Sequence, residues 1–453
     1  MSMISTATAT FEASLSRWAS ETRVLDDADV AIARALVLDS VGLMASGART
    51  PVAMLLAEAD ENKSSRTRSP GACIIVGTAD RASPRSAALR NGTAGAAQLW
   101  DDTSLTMRTH SSVPIIAALL ANENVSRMTW GEFLRAFAVG MEVELAVGGS
   151  TAAGIYQRGF HATSVLGPIG AAAALAHARG LDQTQMCNAL GVSTSLASGV
   201  RIQFGADVMP LHSGFAAEHG VMAVQLAASG LNSDALWLTG RHGFAEAFAG
   251  VDNLDHVWSG PIGLAAADFV LKEQPIGAPN VAPVDAARRA REHMGDSPGQ
   301  ILEVRCRVHH WVSNTVKHTL PEEPSAGRVS LPYCVAAALM LQGDLSSAFI
   351  GEAPPPKNLM DIASRVVIEA VECTDAMGRP TAEVEVITDS GVYRASASAD
   401  AYVMPSLEGA HGDSIRRKFA SNWKDRDSTP LWDFVSGASL TTGMHGFFTI
   451  LDT

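Results

Sequence analysis

Four polar clusters in the sequence carry side chains that could perform acid–base chemistry. They comprise residues 101–103 with Arg108 and His110, residues 158–164, Arg201 with residues 210–214, and residues 328–334. Together they offer imidazole, phenol and guanidinium groups, with no zinc-type ligand spacing and no glycine-rich phosphate loop. This set suits proton abstraction from a carbon next to a carboxylate, because cations hold the acid while a neutral base takes the proton. Histidine is the expected base, since its ordinary pKa lies near neutrality.

Each cluster also has a purely structural interpretation. Aspartate and threonine cap helices, so residues 101–103 alone favour a capping role. His161 could be a buried, hydrogen-bonded histidine, and Ser213 could be a capping residue of a loop. Tyr333 could be a core residue whose hydroxyl is bonded. A serine hydrolase is less favoured, because the sequence contains no G-x-S-x-G motif.

The charge of the chain narrows the class of its partners. The 453 residues carry a formal net charge of −13, which disfavours nucleic acid and anionic membrane surfaces as partners. Charged residues make up 18% of the chain, below the roughly 25% of a typical soluble domain. This low fraction indicates a large buried core or an oligomer interface, and we expect a homodimer.

The sequence favours a cytoplasmic location. Residues 1–21 lack the basic start and apolar run of a signal peptide. The five cysteines are odd in number and far apart, as expected for reduced thiols without zinc. Residues 159–178 contain no Asp, Glu, Lys or Arg. Their Gly, Pro and His residues nevertheless predict a packed core helix rather than a membrane span.

The hydrophobic pattern divides the chain into two domains. Residues 1–268 show helical spacing, with Asp26 and Thr129 as expected helix caps. Residues 269–400 contain segments rich in Val and Ile that partly alternate, and residues 401–453 return to a helical pattern that completes the first domain. The expected strands are 301–308, 365–371, 382–387 and 392–397. We therefore predict a mainly α fold with α+β: a large all-helical domain plus a smaller α+β domain.

The order and spacing of several short motifs resemble the MmgE/PrpD family. The matching motifs lie at residues 38–42, 91–93, 101–103, 159–163, 167–172, 211–214 and 328–333. The family includes dehydratases of 2-methylcitrate, decarboxylases of cis-aconitate and epimerases of iminodisuccinate. The resemblance extends over nearly the whole chain, and it implies the same two-domain fold, a homodimer and no cofactor.

The resemblance also implies which residues line the pocket. Thr103 matches the threonine of the family's D-D-T motif, and His110 matches the histidine that follows it. His161 matches the histidine of G-F-H, His212 that of the L-H segment, and Tyr333 the tyrosine of S-L-P-Y.

Three polar groups of the family's dehydratases and decarboxylases are missing. Their Asp two residues before D-D-T is Leu99 here, and their Lys three residues before the L-H histidine is Met209. Their His after K-x-x-P is also missing, since Asn280 and Val281 stand there. This pattern disfavours loss of water or carbon dioxide, and Arg201 and Arg108 are the expected replacements for the lost cation.

We therefore predict a cofactor-independent epimerase, without a metal, that acts on a small polycarboxylate resembling iminodisuccinate. The expected catalytic residues are His161, Tyr333 and His110, and the expected substrate-binding residues are Arg201, Arg108, Thr103, His212 and Asp102. One alternative is a dehydratase or decarboxylase of a citrate-like or aconitate-like acid. The other is a non-catalytic relative that binds a metabolite.

Overall fold

Two separate hydrophobic cores organise the chain. The computed structural model describes residues 10–21, 24–59, 72–252, 254, 258–295, 299–317, 319–350, 354–375, 380–398, 402–423 and 426–452. The larger core draws its buried side chains from residues 11–271 and 403–451, and the smaller core from residues 276–397. The predicted fold class, a large helical domain with a smaller α+β domain, is confirmed.

The described helices of the first domain lie mostly ahead of the second domain in the chain, and several of them begin at side-chain caps. Those ahead of the second domain are α1 (Phe11–Ser20), α2 (Asp27–Gly47), α3 (Pro51–Ala59), α4 (Pro84–Ala96), α5 (Ser112–Leu120), α6 (Trp130–Gln157), α7 (Ala162–Ala178), α8 (Gln183–Ser195) and α9 (Val208–Ala228). Asp26 caps α2 by accepting from the backbone of Asp29. Thr129 and Glu132 form a capping box at the start of α6. Side-chain acceptors at these positions satisfy backbone N–H groups that have no partner within the helix.

Two apolar helices lie in the middle of this domain. Among the described helices, α2 alone is long and apolar enough to cross a membrane, and 72% of its most apolar window is buried inside the protein. Helix α7 is buried from Ala162 to Ala176 and packs against α5, α6, α8 and α9. The prediction of a packed core helix for this segment is confirmed. Its small Gly and Ala side chains let the neighbouring helices approach closely.

The second domain is a four-stranded mixed sheet with helices. Its strands are β5 (Ile301–His309), β6 (Val366–Val371), β7 (Ala382–Thr388) and β8 (Val392–Ala397), in the spatial order β6-β5-β7-β8. Its helices are α10 (Val281–Met294), α11 (His310–Ser313), α12 (Pro324–Gly327), α13 (Leu331–Met340), α14 (Ser346–Phe349) and α15 (Lys357–Ala363). Strand β5 runs parallel to β6 and antiparallel to β7, and α10 and α13 pack together on the sheet. All four strands match the segments that the sequence predicted.

Four short strands lie among the described residues of the first domain. They are β1 (Cys73–Ile74), β2 (Arg81–Ala82), β3 (Thr103–Ser104) and β4 (Phe269–Val270), paired as β1-β2 and β3-β4. Strand β4 lies at the predicted domain boundary, and its pairing with β3 attaches residues 269–270 to the helical domain. The next residues cross to the second domain. This pairing therefore places Lys272 next to the loop that contains Asp101.

The C-terminal helices return to the first domain. They are α16 (Gly409–Asn422), α17 (Thr429–Gly437) and α18 (His445–Asp452). Arg34 of α2 donates to the carbonyls of Val435 and Ala438, and Trp130 stacks on Phe447, with ring centroids 5.7 Å apart. The tail is thus part of the larger core.

Two glycines of α6 give a matched test of this packing. A Cβ added at Gly154 would lie 2.1 Å from the carbonyl oxygen of Ala249, whereas one at Gly149 would meet nothing within 4 Å. We expect Gly154→Ala to lower the free energy of unfolding by about 1–3 kcal/mol, as overpacking does. Gly149→Ala should raise it by roughly 0.5–1 kcal/mol, because alanine loses less entropy in a helix. Urea unfolding measures both, and equal effects would contradict the packing of α6.

Candidate active site

A cavity of about 160 Å³ lies between the two domains. Its polar lining consists mainly of Thr103, Arg108, His110, His161, Lys272 and Asn280. Residues of the second domain, including Trp311 and Thr315, also line the cavity. The site therefore exists only where the helical domain, the crossing segment and the α+β domain meet.

Two histidines lie side by side at the start of α7. His161 precedes the first helical residue, and its backbone N–H donates to the carbonyl of Gly199, at 3.1 Å. Its Nδ1 lies 3.0 Å from Nδ1 of His212 on α9. Burial lowers the pKa of His161 well below its ordinary value, and the nearby His212, His110 and Arg201 lower it further. Burial also lowers the pKa of His212.

This contact couples the tautomers of the two rings. When both are neutral, one Nδ1 must donate its proton and the other must accept it. The donating ring then has an unprotonated Nε2, while the accepting ring carries its proton on Nε2. His161 lines the cavity, and His212 lies behind it. His212 thus contacts His161 and is not among the described residues that line the cavity, whereas the prediction placed it there to bind a carboxylate.

A third histidine is fixed in one tautomer by the backbone. Nδ1 of His110 lies 2.5 Å from the carbonyl oxygen of Asp102, which can only accept, so this nitrogen carries the proton. Nε2 of neutral His110 is consequently unprotonated. The rings of His110 and His161 have centroids 6.3 Å apart. Burial lowers the pKa of His110, and the carboxylate of Asp101 counteracts this in part.

Two adjacent aspartates have opposite electrostatic environments. Asp101 pairs with Lys272, at 3.1 Å, and both side chains are almost completely buried. Burial alone would raise the pKa of Asp101, but His110 and Lys272 outweigh it, and the pKa is lowered. Asp102 has no such cation: burial and the charge of Asp101 raise its pKa to about 8. Its carboxylate accepts from the backbone N–H of Ser112, so it caps α5 instead of binding substrate as predicted.

The two predicted arginine anchors have different positions. Arg108 lines the cavity, with its guanidinium 4.6 Å from the ring centroid of Trp311 and 4.9 Å from that of Tyr156. Arg201 stacks on Tyr156 at 3.7 Å and donates to the carbonyl of the same residue. Arg201 is not among the described residues that line the cavity. Arg108 is therefore the arginine available to a ligand, and Arg201 supports the aromatic wall beside it.

Tyr333 lies outside the cavity, in contrast to the prediction. Its side chain is fully buried in the core of the second domain, and its hydroxyl donates to the carbonyl of Ala348, at 2.9 Å. The ring meets Phe349 edge to face. The sequence placed Tyr333 at the start of an apolar helix but did not show which side of α13 faces the core. We therefore assign no catalytic role to Tyr333.

The structure adds groups that the sequence analysis did not assign to the site. Lys272 and Asn280 both line the cavity. Asn280 donates from Nδ2 to the carbonyl of Arg328, whereas its buried Oδ1 has no partner among the described residues. This oxygen can accept a hydrogen bond from a ligand. Lys272 belongs to the K-x-x-P motif of the sequence, but its pairing with Asp101 joins residues 171 positions apart in the chain.

The described residues contain no group of three or more His, Cys, Asp or Glu side chains arranged to hold a metal ion. The polar groups in the described cavity lining include His110, His161, Arg108 and Asn280.

The fold and this cavity define a two-domain protein with a histidine-lined cavity at the domain boundary. Residues 13–257 match the MmgE/PrpD N-terminal domain, and residues 276–429 match the MmgE/PrpD C-terminal domain. The chain therefore belongs to the MmgE/PrpD family, which confirms the resemblance found in the sequence.

Named relatives agree with this family. The chain is 30% identical to the cis-aconitate decarboxylase of Mus musculus over 339 residues, which cover 71% of this chain and 67% of the relative. It is 28% identical to the cis-aconitate decarboxylase of Homo sapiens over 332 residues, covering 71% and 68%. A cis-aconitate decarboxylase-like protein of Aspergillus oryzae is 30% identical over 229 residues, covering 48% and 47%. These relatives are lyases by name, and none of them is named as an epimerase.

Substitution of the two aspartates tests the electrostatics of the site. Asp101→Asn leaves Lys272 buried without its partner, so we expect a loss of about 3–5 kcal/mol in the free energy of unfolding at pH 7. Because the folded-state pKa of Asp101 is lowered, this difference should shrink as the pH falls below its ordinary 3.8.

Asp102→Asn serves as the matched control, because the raised pKa of Asp102 reverses the sign of its effect on the free energy of unfolding as the pH changes. Wild-type protein loses stability as the pH rises from the ordinary pKa of 3.8 to about 8, because Asp102 ionises in the unfolded chain before it ionises in the folded protein. The asparagine variant should therefore gain stability relative to wild type as the pH rises through this range. Urea unfolding at several pH values measures both variants, and parallel pH profiles would refute the assignment.

Proposed function

We propose that this protein is a cofactor-independent lyase that removes carbon dioxide from a small polycarboxylate. The relatives named as decarboxylases support the decarboxylase alternative over the epimerase that the sequence pattern favoured. The observation that carries the proposal is the meeting of His161, His110 and Arg108 in one interdomain cavity. These groups suit the replacement of a carboxylate by a proton, which needs an anchor and an acid.

The buried histidines become acids when a substrate binds. In the free protein their lowered pKa values favour neutral imidazoles. A bound carboxylate places negative charge beside them, which raises their pKa and favours uptake of a proton. Arg108 is positioned to hold one carboxylate of the substrate through charge-assisted hydrogen bonds. The substrate thus promotes protonation of the site that will react with it.

The reaction then needs one proton and one broken bond. The C–C bond to the departing carboxylate breaks, its electron pair stays on the substrate carbon framework, and carbon dioxide leaves. The imidazolium of His161 gives its proton to the resulting carbanion and returns to the neutral form. Nδ1 of His161 keeps its proton in the contact with Nδ1 of His212, and a proton from solvent restores Nε2 for the next turnover. The ammonium of Lys272 in the cavity lining stabilises the developing negative charge electrostatically.

A second candidate is epimerisation, and the fixed tautomer of His110 favours it. Inversion requires a base on one side of a carbon and an acid on the other. Nε2 of His110 can accept a proton, and the ring of His161 lies 6.3 Å away, between centroids. In this mechanism His110 and His161 act as the pair, whereas Tyr333, the third predicted catalytic residue, lies outside the cavity. Substrate and stereochemistry remain part of this proposal.

One incubation separates these functions. The protein is mixed in deuterium oxide with unsaturated, hydroxy and amino or imino polycarboxylates, and products are followed by NMR and by release of carbon dioxide. Carbon dioxide release with deuterium at the protonated carbon supports the lyase. Deuterium exchange with inversion and no lost fragment supports the epimerase. Loss of water indicates a dehydratase, and no reaction with any acid indicates the non-catalytic relative.

Substitution of His161 tests the proposed proton donor. We expect His161→Asn to lower kcat by about 10²–10⁴-fold, the usual contribution of a general acid. His219→Asn is the matched control, because His219 is also a partly buried histidine with a pKa lowered by burial, but it lies outside the cavity lining. Its kcat should stay within about twofold of wild type. Equal losses in both variants would overturn the assignment.

The pH profile distinguishes the two chemistries. The lyase needs protonated His161, whose pKa in the free protein lies below its ordinary 6.5. We therefore expect kcat/KM for carbon dioxide release to keep rising as the pH falls through 6.5, because kcat/KM reports the ionisation of the free enzyme. Epimerisation needs neutral His110 as well as protonated His161, so its kcat/KM should pass through a maximum and fall once the pH drops below the lowered pKa of His110. A decarboxylation rate that falls in acid would contradict His161 as the donor.

A further inference from the structure

We propose that the substrate is a dicarboxylate that carries an alkyl substituent, and that this substituent binds an apolar wall formed by Leu99, Phe204, Met209 and Val329. The inference rests on the proposed function, since it takes the interdomain cavity as the substrate site. It goes beyond that function by naming the chemical class of acid that the cavity selects.

The apolar wall is a separate cluster that both domains build. Leu99, Met209 and Val329 form a hydrophobic cluster distinct from the two domain cores, with Phe204 packed against it. All four residues line the cavity, and the first three keep 8–9% of their surface exposed. Leu99 follows α4, Met209 lies in the first turn of α9, and Val329 comes from the second domain. Their remaining exposed surface can be covered by a ligand in the cavity.

Leu99 has a backbone conformation that is unfavourable for leucine. Its φ is +53°, in the left-handed region that leucine rarely adopts and that asparagine or aspartate tolerates better. Backbone strain of this kind concentrates at functional sites, where the surrounding structure maintains it. This strain is consistent with a functional role for the apolar surface that Leu99 gives to the cavity.

The charges around the cavity match two carboxylates better than three. Among the described lining residues, Arg108 offers a guanidinium without a carboxylate partner, and His161 gains a positive charge when an acid binds beside it. Lys272 already pairs with Asp101. A third carboxylate placed against the apolar wall would lose its hydration without gaining a partner. An alkyl group at the same place would instead bury apolar surface on both sides.

Binding of saturated acids tests this inference separately from turnover. Succinate, its 2-methyl, 2-ethyl and 2-propyl derivatives and propane-1,2,3-tricarboxylate contain no double bond next to a departing carboxylate, so calorimetry reports affinity alone. We expect each added methylene to tighten binding by about fourfold until the wall is covered. The tricarboxylate should bind no more tightly than succinate.

Substitution of Met209 should reverse this preference. Met209→Lys places a cation in the wall, so the tricarboxylate should become the tightest ligand and the gain per methylene should disappear. Met54→Lys is the matched control, because Met54 on α3 is 55% exposed and lies outside the cavity lining. It should keep the wild-type order. Met209→Ala provides a second variant without a buried charge, and it should shift the optimum towards a longer alkyl group.

The outcomes separate this inference from the proposed function. If wild type binds alkylated succinates no better than succinate, or binds the tricarboxylate most tightly, the inference is overturned, whatever acid releases carbon dioxide. If alkylated succinates bind in the expected order but no acid loses carbon dioxide, the inference stands and the decarboxylase proposal fails. Failure of every acid to bind overturns both.

Discussion

The ion pair between Asp101 and Lys272 is the interaction on which the site depends. Its two charges are buried in segments far apart in the chain. A buried charge without a partner is strongly destabilising, so the loop after α4 and the crossing segment after β4 must meet. A second pair lies behind the first: Lys418 of α16 binds Asp39 of α2, at 2.6 Å, and donates to the carbonyl of Trp100. The two pairs tie the tail, the helical domain and the crossing segment together beside the cavity.

This arrangement determines the state of the histidines. His110 is held by the carbonyl of Asp102, in the same loop that the ion pairs fix. His161 and His212 are buried beside other cationic groups, which lower the pKa of His161 and keep its ring neutral until an anion arrives. The chemistry then follows from a change of charge on binding, because carboxylates favour the protonated ring. The apolar wall at Leu99 and Met209 adds selectivity without adding another ionisable group.

Local signals in the sequence predicted most of the fold. Asp26 and Thr129 cap their helices through contacts within three residues, and the alternating segments became the four strands of the sheet. The cavity was predicted in part: Thr103, Arg108, His110 and His161 all line it.

The residues that were misplaced depend on tertiary contacts. Tyr333 faces the core of its own domain, Arg201 stacks on Tyr156, and Asp102 caps α5. The packing neighbours of a helix or loop determine which of its sides faces the cavity. No local sequence pattern indicates this side. The pairing of Lys272 with Asp101 was missed for the same reason.

The central claim is that the ligand-free site holds neutral histidines with defined tautomers, and ¹H–¹⁵N NMR of the histidine side chains at pH 7 tests it most directly. The account predicts His110 protonated on Nδ1 alone and one proton each on His161 and His212, whereas a doubly protonated His161 in the ligand-free protein would contradict it.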